Sequence, residues 1–337
     1  MMLGGRTQIE LPDRVELAAL PTPLVAAPRL AAALGLESLH VKRDDLTGFA
    51  IGGNKARPLE FLIAAARQQD ADTLVTGGAA GSSFCVAAAA AARRAGMSCH
   101  LVIAGEPAQL APGLDLARAW GSSVSWTHAA ERASVDAGLP EAAAKLAALG
   151  RRPYLVPRGG AAALGAVGYV LAAGELYDQL TEHGLRSACV VVAVGSGCTL
   201  AGLVAGNALL GWPWRLVGAS VSRPPLEASR RVLELASECI MLLAAAGSWR
   251  GVAERAAQAV TDCRIELVDA RGPGHGLASA DGRQAADTAL RTEGLVLDPV
   301  YTAKALPVLH AAGERGAVFW HTGGLLDVIA RAAAEQR

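Results

Sequence analysis

The sequence predicts an α/β fold in which helices cover both faces of mainly parallel sheets. Short apolar runs rich in β-branched residues alternate with alanine-rich helical stretches along the whole chain. This order of strand, helix and strand is the one that parallel sheets require. The chain has 337 residues, of which 52% are hydrophobic and 18% charged, so it is long enough for two domains with well-buried cores.

The predicted elements follow one another in that order. The expected strands cover residues 39–42, 73–76, 99–103, 123–126, 154–156, 190–194, 216–221, 295–297 and 318–321. The expected helices cover residues 55–68, 83–95, 114–119, 141–148, 164–180, 200–210, 225–235, 248–259, 282–293, 302–312 and 324–334. Glycine-rich turns near 48–53 and 159–160 predict a small domain, residues 47–161, inserted into a larger one made of residues 1–46 and 162–337. Ligands of such folds bind at the carboxyl ends of the strands.

Charge and cysteine content narrow the class of protein. The 31 basic and 31 acidic residues cancel, so there is no basic field to attract nucleic acid or an anionic membrane. Low net charge favours association, and we expect a homodimer. The six cysteines show no C-x-x-C spacing, so we expect neither a zinc site nor disulfides, and a cytoplasmic location fits. The uncharged stretch 187–214 is interrupted by glycines, which favours a strand, a turn and a helix over a membrane span.

Lys55 is placed where a structural lysine is disfavoured. It follows Gly52 and Gly53 and falls in the first turn of a predicted helix, where the positive end of the helix dipole opposes a cation. Such surroundings lower the pKa of an amine, and amines of lowered pKa form imines with carbonyl compounds. A solvated lysine at a frayed helix end is the alternative interpretation.

A glycine-rich turn links the strand at 190–194 to the next helix. It contains Gly195, Ser196, Gly197, Cys198 and Thr199. Its backbone N–H groups and hydroxyls, together with the helix dipole, are suited to cradle a phosphate. A tight turn without a ligand is the alternative, and we expect Cys198 to be a packed small residue rather than a nucleophile.

A second glycine-rich turn, residues 76–84, ends with Ser82, Ser83 and Phe84. Exposed N–H groups at this helix start would bind a carboxylate, although a serine that only caps the helix is an equal alternative.

Near the C-terminus, Tyr301 follows a predicted strand, which favours a place in the site. We expect Lys304 to be a surface charge and His321 to satisfy a buried hydrogen bond.

These features match the needs of one cofactor, pyridoxal 5′-phosphate (PLP). The loop at 195–199 would anchor its phosphate, and Lys55 would join its aldehyde. The turn at 82–84 would hold the carboxylate of a small amino-acid substrate. The ring of this cofactor acts as an electron sink for chemistry at the α-carbon.

With these motifs the chain resembles the fold-type II PLP enzymes, and among them the D-cysteine desulfhydrase and 1-aminocyclopropane-1-carboxylate (ACC) deaminase family. The matching motifs lie at residues 21–24, 42–45, 52–55, 165–169, 195–202, 220–224, 272–276, 292–294, 297–305 and 321–324. The resemblance implies PLP as the cofactor. It also implies a tryptophan synthase beta-like fold of two three-layer α/β/α domains.

The resemblance implies a role for each residue of these motifs. Lys55 would be the Schiff-base lysine and the base that moves the α-proton, while Asn54 and the loop at 195–199 would hold the phosphate. The amides of residues 82–84 would bind the substrate carboxylate, with the Ser82 side chain near the substrate. Tyr301 would act as an acid or base, and Thr302 would contact the pyridine nitrogen. The desulfhydrases carry threonine at this last position and the deaminases usually carry glutamate, which favours β-elimination over ring opening.

The chain also departs from the family pattern in parts that would contact the substrate. At the carboxylate turn, Ser83 replaces an asparagine expected beside the cofactor, and Phe84 replaces a polar residue. His275 replaces one of two site tyrosines and is a candidate acid or base. Arg158 stands where the family has an apolar residue. Its guanidinium would form two hydrogen bonds with a second acidic group on the substrate, unless it is an ordinary surface arginine.

The sequence therefore predicts a PLP-dependent lyase that abstracts an α-proton, eliminates a β-substituent and releases a 2-oxo acid and ammonia. Three alternatives within the enzyme class are β-replacement, racemisation and a specialised biosynthetic step on an unusual amino acid. A further alternative is a family member that binds the cofactor or an amino acid without turnover.

Overall fold

The computed structural model describes residues 2–3, 7–8, 11–107, 111–185, 189–211, 214–245, 250–262, 265–312 and 316–335. The strands in these ranges are β1 (Met2–Leu3), β2 (Thr7–Gln8), β3 (Leu24–Ala26), β4 (Leu39–Arg43), β5 (Thr73–Gly78), β6 (Ser98–Ile103), β7 (Ser123–Trp126), β8 (Pro153–Leu155), β9 (Cys189–Val194), β10 (Arg215–Ser220), β11 (Glu266–Asp269) and β12 (Ala317–His321). The helices are α1 (Pro28–Ala33), α2 (Ala56–Gln68), α3 (Ser83–Arg94), α4 (Pro112–Ala119), α5 (Arg132–Ala148), α6 (Ala163–Glu182), α7 (Cys198–Leu210), α8 (Pro225–Ala245), α9 (Arg250–Asp262), α10 (Ala280–Glu293), α11 (Thr302–Ala305) and α12 (Leu325–Glu335).

The structure is built on two sheets whose strands are mainly parallel. The larger has the strand order β11-β10-β9-β12-β4-β3, in which only β3 runs antiparallel to its neighbour. The smaller has the order β7-β6-β5-β8 and is parallel throughout. Strands β1 and β2 form a separate antiparallel pair. The predicted α/β class with mainly parallel sheets is confirmed.

Helices cover both faces of each sheet. Along β9, Val190 and Val192 pack into one apolar core with α6 and α7, whereas Val191 packs into another core on the opposite face. A strand buried on both faces is continuously apolar, as the Val-rich sequence of β9 is. In the smaller sheet, Leu74 and Val75 likewise point into different cores. Each sheet is thus the middle of three layers.

Helices α6 and α7 pack in close contact because α7 presents glycines to α6. A Cβ at Gly202 would lie 2.2 Å from the carbonyl oxygen of Ala166, and one at Gly206 would lie 2.7 Å from the Cβ of Ala173. This packing holds α7, and therefore the loop before it, firmly against the larger sheet.

The positions of the two sheets in the chain are compatible with the predicted domains but do not test the exact domain limits. All four strands of the smaller sheet lie between residues 73 and 155, and all six of the larger lie outside that range. The limits at 47 and 161 stay a prediction. No helix in the described ranges is both long and apolar enough to cross a membrane.

Several predicted elements differ from the structure. The expected strand at 295–297 is absent, because the carbonyl of Val296 bonds to the side chain of His321 rather than to a neighbouring strand. Helix α5 begins nine residues earlier than expected and continues through Pro140. Helix α11 ends at Ala305 and continues as a 3-10 helix, Leu306–Ala312. The first two residues of the helix expected at 248–259, and Cys263, lie outside the described residues.

Candidate active site

A cavity of about 590 Å³ lies where the carboxyl ends of both sheets meet. Residues at or just after the ends of β5, β6, β9, β10 and β12 line it, as the rule for parallel sheets predicts. A smaller cavity of about 330 Å³ shares Asn54 and Lys55 with it and has mainly apolar walls. The larger volume falls in the range of small-molecule and cofactor sites.

Lys55 projects into this cavity from the residue that precedes α2. The loop before it needs glycine: Gly53 has a φ of +92°, and a Cβ there would lie 3.1 Å from the carbonyl oxygen of Thr322. The Lys55 amine forms no hydrogen bond or ion pair with the described part of the chain. Burial lowers the pKa of Lys55, which favours the neutral, nucleophilic amine.

Asn54 joins the lysine loop to the glycine-rich loop. Its Nδ2 donates to Oγ1 of Thr199 at 3.0 Å, and its carbonyl accepts from the hydroxyl of Tyr169 at 2.9 Å. Its backbone N–H donates to the carbonyl of Thr322 at 3.0 Å. Bonds to α6, to α7 and to the loop after β12 therefore hold Asn54, the residue next to Lys55, in place.

The glycine-rich loop forms one wall of the cavity. Gly195, Ser196, Gly197 and Thr199 line it, and Gly197 has a φ of +95°, a conformation that favours glycine. Helix α7 starts at Cys198, directly after Gly197, so the N–H groups of its first turn have no partner within the helix. The loop is therefore a cradle for an anion such as a phosphate.

Cys198 is packed rather than reactive, as expected from the sequence. Its thiol lies 3.2 Å from the carbonyl oxygen of Gly160, and the residue does not line the cavity. Burial raises the pKa of Cys198 to about 12. Its predicted contribution to a cofactor site is thus confined to its backbone.

The serine turn lies on the wall formed by the smaller sheet. Ser82, Ser83 and Phe84 all line the cavity. Ser82 also caps α3, because its Oγ accepts from the N–H of Cys85 at 3.3 Å. Phe84 is only 2% exposed and packs so closely on Gly160 that a Cβ there would lie 2.8 Å from its ring. Phe84 therefore shapes the wall and offers no polar group.

Tyr301 and His275 stand together in the cavity. The Tyr301 hydroxyl lies 3.3 Å from Nε2 of His275. Burial, followed by the charge of Asp298, raises the pKa of Tyr301 to about 12. Partial burial, followed by the positive charge of Arg132, lowers the pKa of His275 to about 4. At neutral pH the phenol is therefore protonated and the imidazole uncharged.

Thr302 is placed behind the cavity wall. Its side chain is fully buried and donates to Oδ2 of Asp298 at 2.7 Å. Asp298 lines the cavity and also accepts from the N–H groups of Val300, Tyr301 and Thr302. The predicted contact of Thr302 with the cofactor's ring nitrogen stays a prediction. Sequence reasoning missed Asp298, although an acidic residue before a helix start is a recognisable capping signal.

Three other expectations can be compared with the structure. Lys304 is not a surface charge: it is 2% exposed and donates to the carbonyls of Arg271 and Gly274 at 2.7 and 2.8 Å. His321 satisfies a buried hydrogen bond, as predicted. Arg158 lines the cavity, but Asp136 occupies its guanidinium through two bonds of 2.6 and 2.7 Å.

Comparison with known proteins agrees with this arrangement. A family described as pyridoxal-phosphate-dependent enzymes matches residues 15–323. The chain belongs to this family. Its predicted cofactor, PLP, and its predicted fold-type II architecture are thereby confirmed.

Individual relatives are similar over nearly the whole chain. D-cysteine desulfhydrase of Salmonella paratyphi C is 38% identical over 328 residues, which cover 92% of this chain and 94% of that protein. The crystal structure of an ACC deaminase homologue matches with a TM-score of 0.82 at 33% identity, covering 93% of this chain and 92% of that one. L-serine ammonia-lyase of Rhizomucor miehei, at 16% identity and a TM-score of 0.64, covers 94% of this chain and 99% of that one and is alike in fold.

The residues present fit the cofactor of this family. The cradle at 195–199 suits a phosphate, and the backbone of Gly195 lies so close to Tyr301 that a Cβ would be 2.9 Å from its ring. The amine of Lys55 is free to react with an aldehyde. Ser82 and Ser83 stand at a helix start in the same cavity, where a carboxylate is stabilised.

Proposed function

We propose that the protein is a PLP-dependent lyase, similar to D-cysteine desulfhydrase, that acts on a small amino acid. It removes the α-proton, eliminates a β-substituent and yields a 2-oxo acid and ammonia. The observation that carries this proposal is the amine of Lys55, which has no partner among the described residues and faces the same cavity as the glycine-rich loop at 195–199 and the serine turn at 82–84. Its lowered pKa suits an amine that must accept a proton.

Binding and proton removal are assigned to different walls of the cavity. The loop at 195–199 and Asn54 hold the phosphate, and the amides at Ser82–Phe84 hold the substrate carboxylate. When bound, PLP supplies the electron sink for charge that develops at the α-carbon. The amine of Lys55, which faces the cavity, would accept the α-proton.

Tyr301 is assigned as the proton donor to the leaving group. Its raised pKa keeps the phenol protonated at neutral pH, so it serves as an acid rather than a base. His275 is uncharged and orients the phenol through the hydrogen bond of 3.3 Å between its Nε2 and the Tyr301 hydroxyl. A threonine at position 302, where the deaminases usually carry a glutamate, also favours elimination over ring opening.

Turnover and the covalent link are tested separately. We expect the holoenzyme to release pyruvate and ammonia from D-cysteine or β-chloroalanine, measured with a coupled lactate dehydrogenase assay. Borohydride reduction followed by peptide mass analysis should place PLP on Lys55, and Lys55→Ala should abolish that mass shift. If bound PLP is present but no common amino acid exchanges its α-proton in heavy water, the protein binds without turnover and the lyase proposal is wrong.

We also propose that the enzyme is a cytoplasmic homodimer. Two features support this proposal. Leu325 and Ile329, one turn apart on α12, are 52% and 57% exposed and offer an apolar patch for a second copy. The five cysteines in the described ranges are free and buried, which fits a reducing compartment. Analytical ultracentrifugation that finds only monomers at micromolar concentration would contradict the dimer.

A further inference from the structure

Positive charge gathers at the end of the cavity that holds Tyr301 and His275. Arg132, the first residue of α5, and Arg158, after β8, both line the cavity. Arg223, after β10, lies just behind the wall and donates to the carbonyl of Gly195 at 2.6 Å. Three guanidinium groups from three different elements therefore converge on one site.

Of these three guanidinium groups, only that of Arg132 lacks a partner in the part of the chain that the structure describes. Arg158 is paired with Asp136, and Arg223 with Glu227 at 3.0 Å. Arg132 is half-buried and forms no hydrogen bond or ion pair with any described residue. Placing an unpaired arginine in a partly desolvated site costs free energy, unless a bound anion compensates its charge.

Among the described residues, the carboxylates whose charge interacts with Arg132 already have other partners: Asp136 pairs with Arg158, and Glu227 pairs with Arg223. Asp298, the acidic residue nearest Tyr301 in sequence, already accepts hydrogen bonds from three backbone N–H groups and one hydroxyl. The same positive field acts on His275, since Arg132 and Lys304 both contribute to its lowered pKa. The field and the free guanidinium point to the same kind of ligand.

We propose that Arg132 binds an anionic group on the side chain of the substrate, so that the preferred substrate is an amino acid with a negatively charged β-substituent. This inference rests on the proposed lyase function and names its substrate class. The planar guanidinium of an arginine suits a sulfonate or a phosphate, both of which can leave with the bonding electron pair. It also suits a carboxylate, which would bind there without being eliminated. It is a specificity residue distinct from the carboxylate turn at Ser82–Phe84, which lies on α3.

The overall reaction is balanced without an oxidant or reductant. The α-proton goes to Lys55, and the bond from the β-carbon to the substituent breaks with its electron pair leaving on the substituent. Addition of one water then releases ammonia and pyruvate. Arg132 stabilises the added negative charge that the departing substituent acquires.

Aspartate and asparagine test this inference, because they have the same shape, differ in charge and have no β-leaving group. Calorimetric titration of the holoenzyme with each enantiomer should show one aspartate binding about 10-fold or more tightly than its asparagine counterpart. Arg132→Gln should bring the two dissociation constants within about 2-fold and leave that of asparagine unchanged, while Arg132→Lys should retain part of the preference. Arg118→Gln, an exposed control on α4, should keep the full preference.

Other outcomes overturn the inference. Equal weakening of both ligands would place Arg132 on the α-carboxylate, and weaker binding of PLP itself would place it on the phosphate. A preference for aspartate that survives Arg132→Gln would assign it to another residue. Failure of the lyase proposal can be distinguished from failure of this inference. If the preference for aspartate depends on Arg132 but no pyruvate forms from neutral β-chloroalanine, the lyase proposal is wrong and the anion site is still supported.

Discussion

Arg57 and Asp44 form a double hydrogen bond in the interior of the protein, with Nε–Oδ2 and Nη2–Oδ1 distances of 2.9 and 2.8 Å. Both side chains are at most 1% exposed. Glu175 of α6 also accepts from Arg57 and from the buried Lys42. Because Arg57 lies in the first turn of α2, this network fixes the helix start that presents Lys55.

Removing Arg57 should destabilise the whole protein. In Arg57→Leu, Asp44 would keep its charge in the interior without its main partner, which costs about 3–5 kcal/mol. Urea unfolding followed by circular dichroism measures the loss. As a control, Lys145→Ala breaks an exposed pair with Glu141 and should leave the free energy of unfolding close to that of the wild type. A loss in Arg57→Leu as small as that of the control would contradict the role of the network.

Asn54 offers a test of how the two loops cooperate. Asn54→Ala removes the bond to Thr199, and the loss of one hydrogen bond costs about 0.5–1.5 kcal/mol. We expect the dissociation constant for PLP to rise about 10-fold, measured by fluorescence titration of the apoenzyme. Asn207→Ala, on the same helix as Thr199 but beyond the cavity lining, is the matched control and should bind PLP as tightly as the wild type.

Much of the fold was predictable because strands buried on both faces are continuous apolar runs. Strand β9 and the loop after it are examples, since Val-rich sequence and glycines specify both. Strand β3 was not predicted, because it is a three-residue edge strand with an exposed pattern. Helix α11 ends early because of Pro307 and tertiary packing. The spacing of apolar residues, from which the longer helix was predicted, indicates neither.

Site residues were predictable where the backbone imposes the residue type. Gly53 and Lys55 illustrate this, because positive φ and a helix start restrict what those positions tolerate. The pairing of side chains was not predictable. Arg158 was the candidate for a free guanidinium, whereas Asp136, 22 residues away, occupies it and Arg132 is the unpaired one. Such partners are set by tertiary contacts between loops.

His275 should make the fold more sensitive to acid. Its pKa is lowered from 6.5 to about 4 in the folded state, so between these values the unfolded chain takes up a proton that the folded chain does not. The free energy of unfolding therefore falls as the pH is lowered through this window. His275→Gln lacks this site, so its urea midpoint should fall less than that of the wild type between pH 7 and pH 4.5. Equal declines in the two proteins would show that His275 titrates normally.

Gly195 and Tyr301 provide a final test, because their contact leaves no room for a side chain. In Gly195→Ala the new methyl group would lie 2.9 Å from Cε1 of Tyr301, so the ring must move. We expect weaker PLP binding, by about 10-fold, and slower elimination. In a Tyr301→Ala background the same change meets no ring, so its effect on PLP affinity should nearly vanish in a double-mutant cycle. An equal loss in both backgrounds would mean that the methyl group acts on the phosphate cradle itself rather than through Tyr301.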